Sequence, residues 1–280
     1  MLTHGALYRL TAFSTDPEGG NPAGVWIGDR LPDSAEMQRI AREVDYSETA
    51  FVAPMHGARR TVRYFSPVAE VPFCGHATIA SGVKLGVLSG VGTYLFDTIV
   101  GEVPVDVTAA NGLLEATLTS VTPAHQPAPA ELLQNALSAL RWPASELDPA
   151  IPPAVAFAGA RHLVIAAASR TRLDDLDYDF EALKALMLAN ELTTVHLVWR
   201  ESADVFHARD PFPVGGVVED PATGAAAAAF GGYLRDAGLI DAPATLLIRQ
   251  GEALGRPSRL RVRIPASGGI SVSGSAVDLT

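Results

Sequence analysis

One cysteine, Cys74, stands among 280 residues, so the chain cannot build an intrachain disulfide framework or a cysteine-based metal site. No uncharged apolar run reaches the ~18 residues of a membrane-spanning helix, and no membrane partner is expected. The opening Met1-Leu2-Thr3-His4-Gly5-Ala6 lacks the basic region and long apolar core of a signal peptide, which predicts a cytoplasmic protein. There is no Gly-x-Gly-x-x-Gly fingerprint, no phosphate loop ending Gly-Lys-Ser/Thr and no His-Glu-x-x-His. The seven histidines are scattered without metal-ligand spacing, so neither a metal nor a cofactor is expected. Basic residues are also in deficit, 21 against 31 acidic, and the net charge of −10 argues against nucleic acid as a main partner.

What is present is a globular chain, 48% apolar and long enough for two domains. Strand-like segments lie at 7–13, 23–27, 49–53, 61–65, 93–99, 103–108 and 113–119. Pro32 to Val44 reads as a helix, because Met37, Ile40, Ala41 and Val44 recur at intervals of three and four. The segment 77–85 reads as a buried helix. Residues 121–130 carry three prolines and read as a connector. Beyond them come helices near 131–140, 178–188 and 224–237, with strands near 161–168, 194–200, 244–249, 259–264 and 269–273. The predicted domains are 1–122 and 123–280, with the last strand able to return to the first domain.

Two runs stand out. Residues 64–78 read Tyr64-Phe-Ser-Pro-Val-Ala-Glu-Val-Pro-Phe-Cys-Gly-His-Ala-Thr78, and 219–224 read Glu219-Asp-Pro-Ala-Thr-Gly224. Each reaches a glycine that opens a small-residue helix, with polar side chains just before or inside the first turn. Such a helix start can receive an anion on its free N–H groups. Gly75 and Gly82 are seven apart, as are Gly224 and Gly231, so each pair shares nearly one helix face. This spacing predicts a duplication, each half wrapping a sheet around a glycine-faced helix.

Read from residue type alone, several positions keep two meanings. Glu48, in the turn after the first helix, is a carboxylate suited to proton transfer or a solvated glutamate. His76 is an orienting or relaying imidazole at a helix start, or a histidine satisfied by a carbonyl. Asp220 belongs to a charge network or satisfies a turn. Cys74 is a reactive thiol or a small buried hydrophobe. Asn21, in Asn21-Pro22-Ala23-Gly24, shapes a turn or faces a ligand. Arg209 binds an acid or forms a surface pair with Asp210. Arg256 fixes a loop or contacts a ligand, and Arg161-His162 suggests a strand edge.

The stretches Gly20-Asn-Pro-Ala-Gly-Val25, Tyr46-Ser-Glu-Thr-Ala-Phe51, 65–78, 219–224 and Gly255-Arg-Pro-Ser258 together resemble the phenazine-biosynthesis isomerase-like (PhzF-like) family, within the diaminopimelate-epimerase-like fold. The match runs nearly end to end. It implies an α/β (α+β) fold of two similar domains, each a curved, mostly antiparallel sheet around a central helix, with a cleft between them. It implies cofactor-independent proton transfer on a small anionic substrate, an unsaturated and possibly cyclic hydroxylated carboxylic acid, and a homodimer. Carried onto this chain, it makes Glu48 the catalytic carboxylate, assisted by His76 and Asp220. Asn21, Gly75, Thr223, Gly224, Ala225 and Arg209 become the substrate-binding set. The family reads serine where this chain has Ala225, so that hydroxyl is missing, although the amides of Gly224 and Ala225 remain. Cys74 resembles the first of the two cysteines of related amino-acid epimerases, and Thr223 takes the place of the second, so a two-cysteine mechanism cannot operate. The alternatives are an epimerase of an amino acid or peptide-like acid, a non-catalytic metabolite-binding protein, and a structural oligomerisation protein.

Overall fold

The computed structural model describes residues 5–110 and 112–279. The chain divides into one unit of Met1–Thr119 with Ser273–Thr280 and a second of Ser120–Val272.

In the first unit β1 (Gly5–Ala12) and β2 (Asn21–Gly28) form a hairpin in which Leu10 faces Ala23. Helix α1 (Ser34–Val44) then carries the chain over to β3 (Thr49–Pro54), which lies parallel to β2. The carboxylate of Asp33 accepts from the Glu36 amide and satisfies an otherwise orphaned donor, which starts the helix two residues after the predicted proline. Asp45, in the left-handed conformation, stops it. Its buried Met37 and Ala41 pack on Trp26, Phe51 and Phe65. Strand β4 (Arg59–Phe65) returns antiparallel, and the two-residue β5 (Glu70–Val71) folds back on it. Helix α2 (Gly75–Ser89) leads to β6 (Gly92–Thr98), parallel to β4. Antiparallel β7 (Gly101–Ala110) and β8 (Leu113–Thr119) follow. The last strand of the chain (Ser271–Asp278) pairs with both β8 and β1 and closes the sheet into a barrel.

Helix α2 runs inside that barrel. Every residue from His76 to Gly86 is buried, as expected for a helix that is apolar all round. Glycine is required where it passes the wall: a Cβ on Gly82 would sit 2.7 Å from Val105 Cγ1 and 3.0 Å from Ala116 Cβ. Its one cation, Lys84, is neutralised by Asp278 at 2.8 Å and lies 4.1 Å over the Tyr8 ring.

The second unit repeats the order. Strand β9 (Ala124–Pro127) pairs with β10 (Ala154–Phe157), which pairs with β11 (Arg161–Ala166). Helix α3 (Ala130–Leu140) links β9 to β10. Helices α4 (Arg170–Asp174) and α5 (Phe180–Ala189) cross to β12 (Thr194–Arg200), parallel to β11. Strand β13 (Val205–Pro211) is antiparallel to β12, and the short β14 (Glu219–Asp220) folds back on it. Helix α6 (Gly224–Asp236) leads to β15 (Ala244–Gln250), parallel to β13, and β16 (Ser258–Ile264) closes the series antiparallel. Helix α6 is buried from Ala226 to Leu234, and Gly231 presents its bare Cα to Val262, Ile264 and Ile270. Helices α3 and α5 cover the outer sheet face through Leu137, Leu140, Leu183 and Met187.

Both units therefore run β–helix–parallel β–antiparallel β–short β–buried helix–parallel β, the duplication that the glycine spacing predicts. Three readings need correction. The stretch 121–130 is not merely a connector, because β9 lies within it. Strand β11 is flanked by β10 and β12, so Arg161 and His162 are not on an edge. Asp210 is fully buried and forms no surface pair.

Candidate active site

The turn after α1 places Glu48 immediately before β3, and the Glu48 carbonyl accepts from the Gly24 amide at 3.1 Å. From the other side, β5 and the following loop bring Cys74 to the N-cap of α2 in an extended conformation. Two buried hydroxyls fix that helix start: Thr78 Oγ1 donates to the Cys74 carbonyl at 2.7 Å and lies 2.6 Å from the Tyr64 hydroxyl. Burial pushes the Tyr64 phenol well above its ordinary range, so it stays neutral.

Three candidate side chains converge there. His76 Nε2 lies 3.4 Å from Glu48 Oε2. Cys74 Sγ lies 3.6 Å from Glu48 Oε2, 3.4 Å from His76 Nδ1 and 3.8 Å from His76 Nε2. Ser47 Oγ stands 3.4 Å from His76 Nε2. The His76 and Glu48 side chains keep only 8% and 17% of their exposure, so charges here are weakly screened. Burial pushes the His76 imidazole below the ordinary histidine range, against the opposing pull of the Glu48 carboxylate and a hydrogen bond to the Pro22 carbonyl. The ring is therefore neutral near pH 7, able to accept on one nitrogen and donate from the other. Among the described residues, Glu48, Cys74 and His76 also offer ligand atoms all within 4.8 Å of one another. Histidine spacing could not disclose this group, because Glu48 comes from the turn after α1 and the other two from the start of α2. Asn21 is buried at the start of β2, and Gly75 opens α2.

The second unit gathers another polar group. Thr223 Oγ1 donates to Asp220 Oδ2 at 2.6 Å. Gln250 braces both: its Nε2 donates to the Asp220 carbonyl at 2.8 Å and meets Thr223 Oγ1 at 3.0 Å, while its Oε1 accepts from the Thr223 amide at 3.0 Å. Gly224 and Ala225 form the first turn of α6, whose N-cap, Thr223, spends its hydroxyl on Asp220 rather than on the helix. Arg209 is occupied otherwise. Its guanidinium donates to both oxygens of Glu219, closest at 2.6 Å, and to the Asp174 carbonyl at 2.8 Å. Deeper in this unit, Asp210 accepts from Thr194 Oγ1 at 3.2 Å and pairs with His196 Nδ1 at 2.9 Å, and His162 Nδ1 meets Thr194 Oγ1 at 2.8 Å. Ser47 and Gln250 were not singled out from sequence. The only signal was a hydroxyl beside the candidate carboxylate for one, and a lone amide in an apolar strand for the other.

A barrel threaded by a glycine-faced helix, the same element order repeated in the second unit, and ionisable groups at the first helix's entry define an α/β protein of the diaminopimelate-epimerase-like fold. The phenazine biosynthesis-like protein model matches residues 10–280, and the chain belongs to that family. It is 32% identical to the uncharacterized isomerase YddE of Salmonella typhimurium, over 98% of this chain and 96% of that protein. It is also 32% identical to trans-2,3-dihydro-3-hydroxyanthranilate isomerase of Pseudomonas fluorescens, over 89% and 86% of the two chains. In fold it is similar to the crystal structure of a Bacillus anthracis phenazine biosynthesis protein of the PhzF family, with a TM-score of 0.85 and 23% identity over 100% and 98% of the chains. Among the described residues no helix is long and apolar enough to cross a membrane.

Proposed function

We propose that this isomerase moves a proton between two carbons of a small unsaturated carboxylic acid, without a cofactor, with Glu48 as the group that removes and returns it. The observation that carries the reading is the contact between Glu48 and His76, 3.4 Å apart and largely withdrawn from water. Apo contacts of this length tighten when substrate arrives. The Glu48 carboxylate takes the carbon-bound proton and becomes a carboxylic acid. The electron pair released from the C–H bond spreads through the conjugated double bond towards the substrate carboxylate. The carboxylic acid exchanges its proton with solvent, and delivery of a proton from it to a different carbon shifts the double bond and restores Glu48. The neutral His76 ring gives its one N–H to the Pro22 carbonyl and accepts from the Glu48 carboxylic acid on its other nitrogen, while the free N–H groups at the start of α2 receive the substrate oxygen on which charge gathers.

Gly75 supports a close approach at this helix start. Its backbone is not in the left-handed region, and a Cβ there would meet no heavy atom within 4 Å. Neither conformation nor packing requires glycine at this position, which leaves room for a ligand against the first turn. The relative that acts on a cyclic hydroxylated amino acid suggests the same chemical class for this chain. The family resemblance gives Asp220 a share in the chemistry, which Asp220→Asn tests separately.

The experiment is a screen of such acids in deuterated buffer, read by mass spectrometry. Product with solvent deuterium is expected, falling by about 10²–10⁴ in Glu48→Gln. Deuterium incorporation at the wild-type rate in Glu48→Gln refutes the assignment. Inversion at one carbon with no bond migration assigns an epimerase instead.

A further inference from the structure

At the start of α6 the backbone fixes the direction of a run of side-chain hydrogen bonds. The Thr223 amide can only donate, so the Gln250 atom 3.0 Å from it is the oxygen Oε1. The Asp220 carbonyl can only accept, so the atom 2.8 Å from it is Nε2. An amide nitrogen has only hydrogens to offer, so at its 3.0 Å contact with Thr223 Oγ1 it donates and the hydroxyl accepts. The hydroxyl hydrogen of Thr223 is thereby left for Asp220 Oδ2, 2.6 Å away, the length of a hydroxyl donating to a carboxylate. Gln250 is buried, and its neighbour Gly251 holds it close: a Cβ there would lie 2.7 Å from the Pro221 carbonyl oxygen. We propose that Gln250 is a positioning residue of the isomerase, which through Thr223 holds Asp220 as an ionised carboxylate, so that Asp220 enters the reaction as an acceptor and the proton is carried by Glu48.

The surroundings of Asp220 call for such a hold. Asp210 stands directly opposite it on β13 and β14, and like charges so placed destabilise each other. Asp210 is fully buried and takes its own hydrogen bonds from Thr194 Oγ1 at 3.2 Å and from His196 Nδ1 at 2.9 Å. Arg209 and Glu219 pair with each other on the opposite face of the same two strands. A carboxylate facing Asp210 is therefore driven towards its protonated form, and a hydrogen bond donated to the charged form opposes that drive. Gln250 supplies the opposition at one remove, by aiming the Thr223 hydroxyl. The part given to Asp220 in the reaction rests on the function proposed above, whereas the direction of the hydrogen bonds and the ionisation they impose do not.

The test follows the Asp220 carboxyl by carbon-13 NMR of aspartate-labelled protein without substrate, the signal being assigned by its loss in Asp220→Asn. In the parent it should stay ionised down to about pH 4, near the ordinary aspartate midpoint. Gln250→Met frees the Thr223 hydroxyl to turn away, and Thr223→Val removes it. Each should raise the Asp220 midpoint by about one unit or more, a gain of about tenfold in proton affinity. Thr223→Ser keeps the hydroxyl and should titrate as the parent does. Thr223→Val leaves the Gln250 bonds to the backbone intact and serves if the methionine protein does not fold. An unchanged midpoint in either variant that folds, or a parent midpoint above about pH 5, overturns the proposal. These readings need no turnover, so they stand even where no acid reacts. With a reacting acid, the deuterium-incorporation rate of Gln250→Met relative to the parent should fall, at the variant's Asp220 midpoint, to about half its value at pH 8, because half of that carboxylate is then protonated. A ratio constant with pH overturns the part given to Asp220, whereas parental exchange in Glu48→Gln overturns the proposed function alone.

Discussion

Removing the guanidinium of Arg209 should unfold the second unit more readily rather than empty a substrate pocket. The Glu219 side chain is 1% exposed and that of Arg209 13%. The fork of Arg209 supplies donors to both carboxylate oxygens of Glu219 and one more to the Asp174 carbonyl. Arg209→Met leaves that carboxylate buried without a counter-charge, which costs about 3–5 kcal/mol. Replacing both groups, Arg209→Met with Glu219→Leu, removes both desolvation penalties and should return to within about 1 kcal/mol of the parent. The double-mutant cycle therefore yields a coupling of at least about 2 kcal/mol. Urea denaturation followed by circular dichroism reads it: with a slope of about 3 kcal/mol/M, the single variant's midpoint falls by about 1 M or more and the double variant's recovers. A single variant that unfolds at the parent midpoint, yet loses affinity for its acid, refutes the structural role and makes Arg209 a binding residue.

Other substitutions separate packing from chemistry. Gly82→Ala drives a methyl into Val105 and Ala116 and should cost about 1–3 kcal/mol. Gly75→Ala meets nothing within 4 Å and should melt at or above the parent temperature while raising KM; equal melting losses in the two contradict the assignment. Burial and the neighbouring His196 hold the His162 ring down to about 3, while the unfolded ring titrates near about 6.5. The unfolded state thus binds the extra proton below pH 6.5, so this contribution to stability is lost as the pH falls, about 2 kcal/mol between pH 7 and 5. His162→Gln should flatten the fall of the urea midpoint over that range, and parallel slopes would refute it. Asp33→Ala removes the cap of α1 and should cost about 1 kcal/mol, read from thermal melts.

The long periodic elements were legible because their pattern is local. The helix at 34–44 carries its own cap and apolar stripe, and the buried helices announce themselves by small residues and paired glycines. Strand β9 was hidden because prolines at 123, 127 and 129 crowd it. It keeps its place by pairing with β10, and its Pro127 stands at the strand's last position. Helix α4 has a single turn, too short for a periodic signal. The ionic interior was hidden for another reason. Arg209 and Asp210 are neighbours in sequence, but strand alternation sends their side chains to opposite faces. Asp210 finds His196 on β12, and Arg209 finds Glu219 on β14. Gln250 reaches Thr223 across 27 residues. The candidate site was legible as residue types in a familiar order, whereas the proximity of Glu48 to Cys74 depends on the register of β3 and β4 and on where α2 begins.

The two units share a scaffold but not its chemistry, and the comparison shows where the difference lies. With Gly75 and Gly224 taken as equivalent, Cys74 corresponds to Thr223 and His76 to Ala225. The residue before β3 is Glu48. Carrying the pairing of β12 with β13 two steps past Leu197↔Arg209 sets Val195 opposite Pro211, as Thr49 is opposite Phe65, so Thr194 takes the place of Glu48. The first unit thus presents carboxylate, thiol and imidazole where the second presents two hydroxyls and a methyl. A hydroxyl cannot take a carbon-bound proton unaided at neutral pH, and threonine has no thiolate. The second unit's carboxylate at this level, Asp220, enters from β14 instead and is held by Thr223 and Gln250. Duplication explains why both helix starts have the same backbone. The side-chain differences put the proton-transfer groups of the proposed mechanism in the first copy.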